Sequence, residues 1–458
     1  MASHQILVFS GSYPERQPAG DTLSLTGPLD TVTSVITATG ALTLAPGGSG
    51  GIQADNTRDA RGDTSIDLQL LTDANTQVAS GSSAMILGGA RNTANGTRSM
   101  VVGGEDNIST GTASCILSGD DGVIDVSCAY SVIAGGQSCE LLNSDYSFIG
   151  CGDTCTINAS NSCFIGGGVS NDIASGATSS VIAGGSNNDV TGVASAILGG
   201  QTNVIAGTRS AIGAGQGQSC SGDYAGIFTG NGCSITGSGD WSVICGGASN
   251  AATNAYAIVG GGRNNTVSGL YSTSIGGRYN VASGVYSTCL GGYDNDAVTG
   301  NSVTMGRQAK TFQQGQFAFA SAGGFAAAGD CQRMLNTLRR ATSNATPRYM
   351  YVDGASEQLT VPADTSWTFD LLVNAIELDG SNSAGYSIQG VITRDGTANV
   401  AFVGGTPTTT VIAESDSNWD CVVEADTTNQ ALAIKITGVA ATTVRWNCRA
   451  EILQTQAS

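Results

Sequence analysis

One histidine and two lysines serve a chain of 458 residues. His4 stands alone near the start, which excludes a Ser-His-Asp triad anywhere else in the sequence. With only Lys310 and Lys435, and a formal net charge of −18, the chain lacks the cationic surface that nucleic acid requires. No apolar run reaches the roughly 18 residues of a spanning helix, so no membrane insertion is expected. The opening Met1-Ala2-Ser3-His4-Gln5 has no charged start leading into an apolar stretch, and no export signal is expected. There is no Gly-Lys-Ser/Thr phosphate loop and no cofactor motif. Glutamates are few, and no catalytic constellation stands out, so the chain reads as a non-enzyme. An Asp or Glu pair brought together only in space would leave no mark on the sequence.

What the chain has is glycine, 66 residues of it, placed with a period. The phrase Ser83-Ala84-Met85-Ile86-Leu87-Gly88-Gly89 returns as Ser99-Met100-Val101-Val102-Gly103-Gly104. It returns again at Ser131–Gly136, Ser180–Gly185 and Ser242–Gly247. Degenerate copies carry Gly150, Gly166, Gly213, Gly230, Gly260, Gly276, Gly291 and Gly306. The 15 copies are mostly 15 or 16 residues apart. A period this short holds no pair of helices, and its apolar runs are β-branched and brief. The reading is an all-β parallel solenoid, a β-roll of about 15 short coils. The Gly doublet marks one corner of each coil, and Ser/Thr-Gly, as in Asn265-Thr266-Val267-Ser268-Gly269, marks the other. In Val132-Ile133-Ala134 successive side chains point to opposite faces, and both faces are apolar. One face fills the coil; the other predicts contact with further copies of the chain. At about 4.8 Å per coil the rod is on the order of 70 Å long.

Ten of the 13 cysteines lie between Cys115 and Cys289, where other copies carry small residues, and read as buried thiols. Cys151-Gly152-Asp153-Thr154-Cys155 has no histidine or second cysteine pair to complete a metal set. Aspartates gather in the turns, among them Asp106, Asp120, Asp121, Asp172 and Asp189. Turn capping accounts for them, and the strict spacing of calcium-binding rolls is absent, so no metal is expected. Arg61-Gly62-Asp63 belongs to the lead-in phrase rather than to an integrin motif.

The chain divides into 1–56, with short β-type segments between prolines; a lead-in at 57–81; the roll at 82–309; a connector or cap at 310–346; and 347–458. In the connector, Phe312, Phe317, Phe319 and Phe325 are expected to plug the last coil. Residues 334–340 fit a strand or a helical turn equally well. From Pro347 nine candidate strands separated by Asp353-Gly354, Asp379-Gly380, Asp395-Gly396 and Gly404-Gly405 predict an antiparallel β-sandwich, jelly-roll-like. Trp367, Trp419, Tyr349, Tyr351 and Tyr386 lie here. Core packing is the first expectation for the tryptophans; any of the five that is exposed is a candidate receptor contact.

The Ser-x-x-Ile-Gly-Gly-x-x-Asn-x-x-x-Ser-Gly phrase resembles the left-handed β-roll of trimeric autotransporter adhesin heads. It is still more similar to Gly-rich repeats of trimeric bacteriophage tail fibres. The lead-in Ala60–Gln69 with Thr76–Gly81, and the segments Ala326–Gln332, Leu338–Thr342 and Asn344–Pro347, resemble the flanks of the roll in such fibres. The resemblance implies a homotrimeric virion appendage assembled in the host cytoplasm. The N-terminal region would join it to tail or baseplate proteins, and 347–458 would be a receptor-binding domain for a host-surface glycan or protein. The competing readings are a capsid decoration or connector fibre without a receptor, and a polysaccharide-degrading tail spike.

Overall fold

A computed structural model of the chain describes residues 52–53, 62, 64–69, 76–397 and 399–457. Apart from 52–53, the expected virion-attachment region 1–56 lies outside the described residues, as do Arg61 and Asp63. The chain is all-β: a parallel solenoid of about 17 turns between 66 and 320, followed by antiparallel strands. The first and last turns, at Ile66–Asp67 and Phe317–Ala320, lack the corner glycine that marks the 15 copies in the sequence.

Each coil contributes a strand to each of two parallel sheets. In the first sheet Met85–Ile86 pairs with Met100–Val101, which pairs with Cys115–Ile116, and so on to Val303–Arg307 and Phe317–Ala320. The second sheet has 14 strands, from Thr93–Ala94 to Asp296–Ala297. Strands of two residues suffice because each is one rung of a ladder that continues above and below it. Every coil turns two corners on left-handed residues, for example Asn264 (φ 54°) and Tyr271 (φ 56°).

Four positions per coil point inward. In the coil from Ile258 they are Val259, Asn265, Val267 and Ser272, all fully buried. The apolar rows supply the burial, roughly 1.5–3 kcal/mol for each Ile or Val enclosed. The Asn row supplies order. Asn203 donates from Nδ2 to Gly199 O (3.0 Å) in its own coil and to Gly215 O (3.1 Å) in the next, and its Oδ1 accepts the amide of Gln218 (3.0 Å). Asn265, Asn280 and Asn295 repeat the pattern. The Ser row does the same with one hydroxyl: Ser195 Oγ donates to Gly207 O (2.8 Å) and accepts the amide of Ser210 (3.2 Å). Corner carbonyls left over by the turns are thereby paired inside a dry interior.

Ten of the 13 cysteines are buried or half-buried, eight of them in the solenoid, in keeping with small thiols in the coil. Cys139 and Cys155 take places in the Asn row, and Cys163 takes one in the Ser row. Cys151, Cys245 and Cys331 are exposed, against the expectation for the first two, because they stand on outer positions of the first sheet. All 13 are free.

The solenoid passes into the C-terminal unit through continuous pairing. Phe317–Ala320 pairs antiparallel with Cys331–Thr342, so residues 334–340 form a strand. That strand pairs with Val444–Gln456, which pairs with Thr365–Glu377, which forms a hairpin with Ser383–Arg394. The opposing sheet centres on Ala431–Thr437, flanked by Asp420–Asp426, Arg348–Tyr349 and Leu359–Thr360. Each of the nine expected C-terminal ranges holds a strand. Between the two sheets lies a core of Trp367, Phe369, Leu371, Tyr386, Ile434 and Trp446.

The last coil is closed by the strand Cys331–Thr342, not by a plug of phenylalanines. Ala318 and Ala320 take the inward places, so strand alternation turns Phe317 and Phe319 outward. Phe312 packs on the C-terminal core, and Phe325 is 75% exposed.

Candidate functional site

The outer side of the first sheet is apolar along the rod. Each coil turns two residues outward there, at the first strand position and two residues on. They read Met85 and Leu87, Cys115 and Leu117, Ala196 and Leu198, Gly226 and Phe228, Thr273 and Ile275, Val303 and Met305. Leu198 and Phe228 are each 64% exposed and Ile275 is 53% exposed. Where one member is large its companion is often small, as in Phe148 with Gly150 and Phe164 with Gly166. The two phenylalanine rings stack at 5.4 Å. The first glycine of several corner doublets borders this face, and Gly88, Gly103, Gly184, Gly199 and Gly276 would each meet nothing within 4 Å if they carried a Cβ.

The second corner of later coils carries an aromatic stack. Tyr224, Trp241, Tyr256, Tyr271 and Tyr286 hold the left-handed corner position in successive coils. Successive ring centroids are 4.2, 6.3, 4.6 and 5.2 Å apart with nearly parallel planes. Arg209 closes one end, its guanidinium 5.3 Å from the Tyr224 centroid and Nη1 donating to the Tyr224 hydroxyl (2.5 Å). Tyr286 ends the other. Beyond it the next corner residue is Asn301, and a cleft of about 520 Å³ opens between the last coils and the sandwich. Tyr286, Thr299, Asn301, Gln314 and Glu357 line it.

Both walls of this cleft are fixed. Gln313 Nε2 donates to Thr360 O (2.8 Å), and the Gln314 amide donates to Glu357 Oε1 (3.2 Å). Glu357 is held by a turn in which the Asp353 carboxylate accepts the amides of Ala355, Ser356 and Glu357 at 2.8–3.0 Å. Burial pushes the Asp353 carboxyl up, but these amides outweigh it and hold the group well below the usual carboxylate range. Among the described residues, the side-chain amides of Asn301 and Gln314 and Glu357 Oε2 have no hydrogen-bond partner.

Two acidic features lie elsewhere on the rod. Asp106, Asp120 and Asp121 bring carboxylate oxygens within 4.8 Å of one another. The guanidinium of Arg91 already holds Asp106, at 2.7 and 2.8 Å, and also reaches Glu105, so Asp106 is kept below its ordinary pKa by that partner. Asp172 and Asp189 are Cα partners on the outer side of the second sheet. Burial raises the pKa of both, and Asp189 adds to the rise at Asp172. Asp189 Oδ1 is buried with no hydrogen-bond partner among the described residues.

Of the five residues proposed from sequence for receptor contact, Trp367, Trp419 and Tyr386 are buried at 3% exposure or less. They are core residues and not surface contacts: Trp367 Nε1 donates to Gln454 Oε1 (2.8 Å), and Tyr386 stacks on Trp446 at 6.1 Å. Tyr349 and Tyr351 are half-buried. The Tyr349 hydroxyl donates to Glu424 (2.9 Å), which also binds Lys435, and the Arg340 guanidinium lies 5.1 Å from the Tyr351 centroid. The aromatic stack was missed from sequence, although it has a signal there. Tyr224, Trp241, Tyr256, Tyr271 and Tyr286 each directly precede the buried Ser/Ala of the corner.

No known protein-family profile matches the chain, and no curated protein matches it. Among solved structures, a distant likeness is found to tailspike protein gp49 of Acinetobacter baumannii bacteriophage Fri1, a capsular polysaccharide depolymerase. Identity is 9%, with 89% of this chain and 69% of that chain covered, at a TM-score of 0.23. The tailspike of a second Acinetobacter phage gives 11% identity, 89% and 80% coverage and a TM-score of 0.20. That of Acinetobacter baumannii phage AM24 gives 8%, 88% and 69%, and 0.19. Scores this low carry no argument about fold or activity, and the functional reading stands on this chain's own residues.

Proposed function

We propose that the chain is the protomer of a homotrimeric phage tail fibre that attaches a virion to a host-surface polysaccharide. The observation that carries the reading is the outer face of the first sheet. A row of exposed Leu, Ile, Phe and Met along a rod is far larger than the scattered apolar residues of an ordinary surface. Covering it with parallel copies about one axis closes the assembly without exposing another edge. The open glycines support the same arrangement, since the single chain gives them no steric reason to be glycine. The repeat phrase and its flanks, which resemble trimeric fibres, supply the virion context. Three parallel copies would present three equivalent sites at one end, so attachment gains strength by avidity. The test is adsorption of fluorescently labelled full-length protein to a panel of capsulated bacteria and their capsule-free mutants. Binding to capsulated cells and not to the mutants is expected; binding to none contradicts the reading and favours a connector fibre.

A polysaccharide-degrading spike is the second reading, favoured by Asp172 and Asp189. Glycoside hydrolysis uses a carboxyl pair, one kept protonated as acid and one ionised as base or nucleophile; Asp172, raised by burial and by the Asp189 charge, fits the acid and Asp189 its ionised partner. Release of reducing ends from purified capsule, abolished by Asp189→Asn, would establish it; intact polysaccharide after prolonged incubation would remove it.

A further inference from the structure

We propose that the cleft at Tyr286 binds one pyranose unit of a neutral polysaccharide. The proposal rests on the attachment reading and gives it a location. A pyranose ring presents a face of C–H groups, which packs on an aromatic ring, and a rim of hydroxyls, which needs donors and acceptors together. Tyr286 is the ring of the five-membered stack that can offer such a face. The faces of Trp241, Tyr256 and Tyr271 are turned to neighbours on both sides. The outer end of the stack at Tyr224 is taken by Arg209. Tyr286 is covered on one side by Tyr271, which holds it in place, and no ring covers its other side among the described residues.

The rim of the cleft supplies the polar half of the match. Asn301 and Gln314 each bring a carboxamide, donor and acceptor together, and Glu357 brings an acceptor. These groups are not spent on the protein itself: the two amides and Glu357 Oε2 lack partners among the described residues. The backbone that carries them is held in place, because the Asp353 turn and the Gln313–Thr360 bond fix the sandwich wall against the solenoid wall. The ordering entropy lost on binding is therefore confined to side chains. Among the described residues no Lys or Arg lines the cleft and one carboxylate does, and the chain carries a net charge of −18. A sugar acid or phosphosugar would meet repulsion with no compensating cation, so the matching unit is uncharged, a neutral hexose or N-acetylhexosamine.

The experiment is an array of bacterial polysaccharide repeat units, neutral and acidic, probed with the full-length protein and with Tyr286→Ala, Tyr286→Phe and Gln314→Ala. Native mass and circular dichroism are recorded for each variant. The wild type is expected to bind neutral glycans. Tyr286→Ala should weaken that binding about tenfold, the worth of one aromatic platform, while Tyr286→Phe retains it. Gln314→Ala, which leaves the stack untouched, should also weaken it and guards against a fold defect in the Tyr286 variant. Glycan binding equal in wild type, Tyr286→Ala and Gln314→Ala overturns the cleft and leaves the attachment reading standing. Binding confined to acidic glycans overturns the assignment to a neutral sugar. No glycan bound by the wild type overturns both the cleft and the attachment reading.

Discussion

The two glycines of a corner doublet do different work. Gly277 has φ +86°, and a Cβ there would lie 2.1 Å from Gly292 O of the next coil. Gly276 meets nothing within 4 Å and has an ordinary φ. Gly277→Ala should therefore lower the denaturation midpoint strongly, because backbone cannot move aside inside a ladder, whereas Gly276→Ala should leave the coil intact. Chemical denaturation of both variants checks the contrast. Asn265→Ala belongs with the damaging group. It unpairs Gly261 O and the Asn280 amide in a dry interior, at about 1–3 kcal/mol for each group left unsatisfied, and leaves Gly277 O with the Arg263 amide alone. Asp189 predicts a dependence on pH. Its carboxyl is raised by burial, so the fold binds its proton more tightly than the unfolded chain does. That contribution favours folding where the group is protonated and turns against it as pH climbs from the ordinary carboxylate range through the raised value. Asp189→Asn should raise the thermal midpoint at neutral pH, with the gain vanishing below about pH 4, the ordinary carboxylate value; thermal melts at both pH values check it.

At the scale of the coil, much of the fold was legible. Period, Gly doublets and short β-branched runs gave the solenoid, and turn dipeptides placed all nine C-terminal strands. Corner chemistry was less legible. Many 15-residue coils turn the second corner on glycine, and a Cβ on Gly207 would lie 2.0 Å from Gly222 O. In the longer coils between Cys115 and Val181 that place is taken by Cys128, Ser144, Ser160 and Ala177. The sequence shows these substitutions but not the corner they share. The candidate cleft was hidden for a related reason. Tyr286 and Glu357 are far apart in the chain, and the pairing of Phe317–Ala320 with Cys331–Thr342 brings solenoid and sandwich together. Trp367 and Trp419 drew attention as rare residues, but strand alternation turns them into the core. Their burial yields a further test. Gln454 accepts from Trp367 Nε1 and donates to Gly329 O, so Gln454→Leu leaves both unpaired at the seam. It should destabilise the sandwich by about 1–3 kcal/mol per unpaired group, visible as a lowered midpoint of tryptophan fluorescence.

Across the whole molecule the unresolved demand is the outer face of the first sheet. The chain satisfies its interior with four rows of buried side chains and leaves Leu87, Leu117, Leu198, Phe228 and Ile275 turned to solvent. An acidic rod with so much exposed apolar surface would aggregate or assemble, and a symmetric assembly is the ordered outcome. Gly199 offers a way to separate assembly from folding. A Cβ there meets nothing within 4 Å among the described residues, so Gly199→Val should preserve the coil while blocking a neighbouring copy. Circular dichroism should be unchanged and the native mass should fall.

The measurement that tests the account most directly is the native mass of purified full-length protein in solution, before and after mild heating in detergent. The account predicts a species of three times the 45.8 kDa chain that survives the treatment. A monomer at the same concentration would mean that the apolar face is left bare or covered by something other than copies of the chain, and both the trimer and the avidity it confers would be lost.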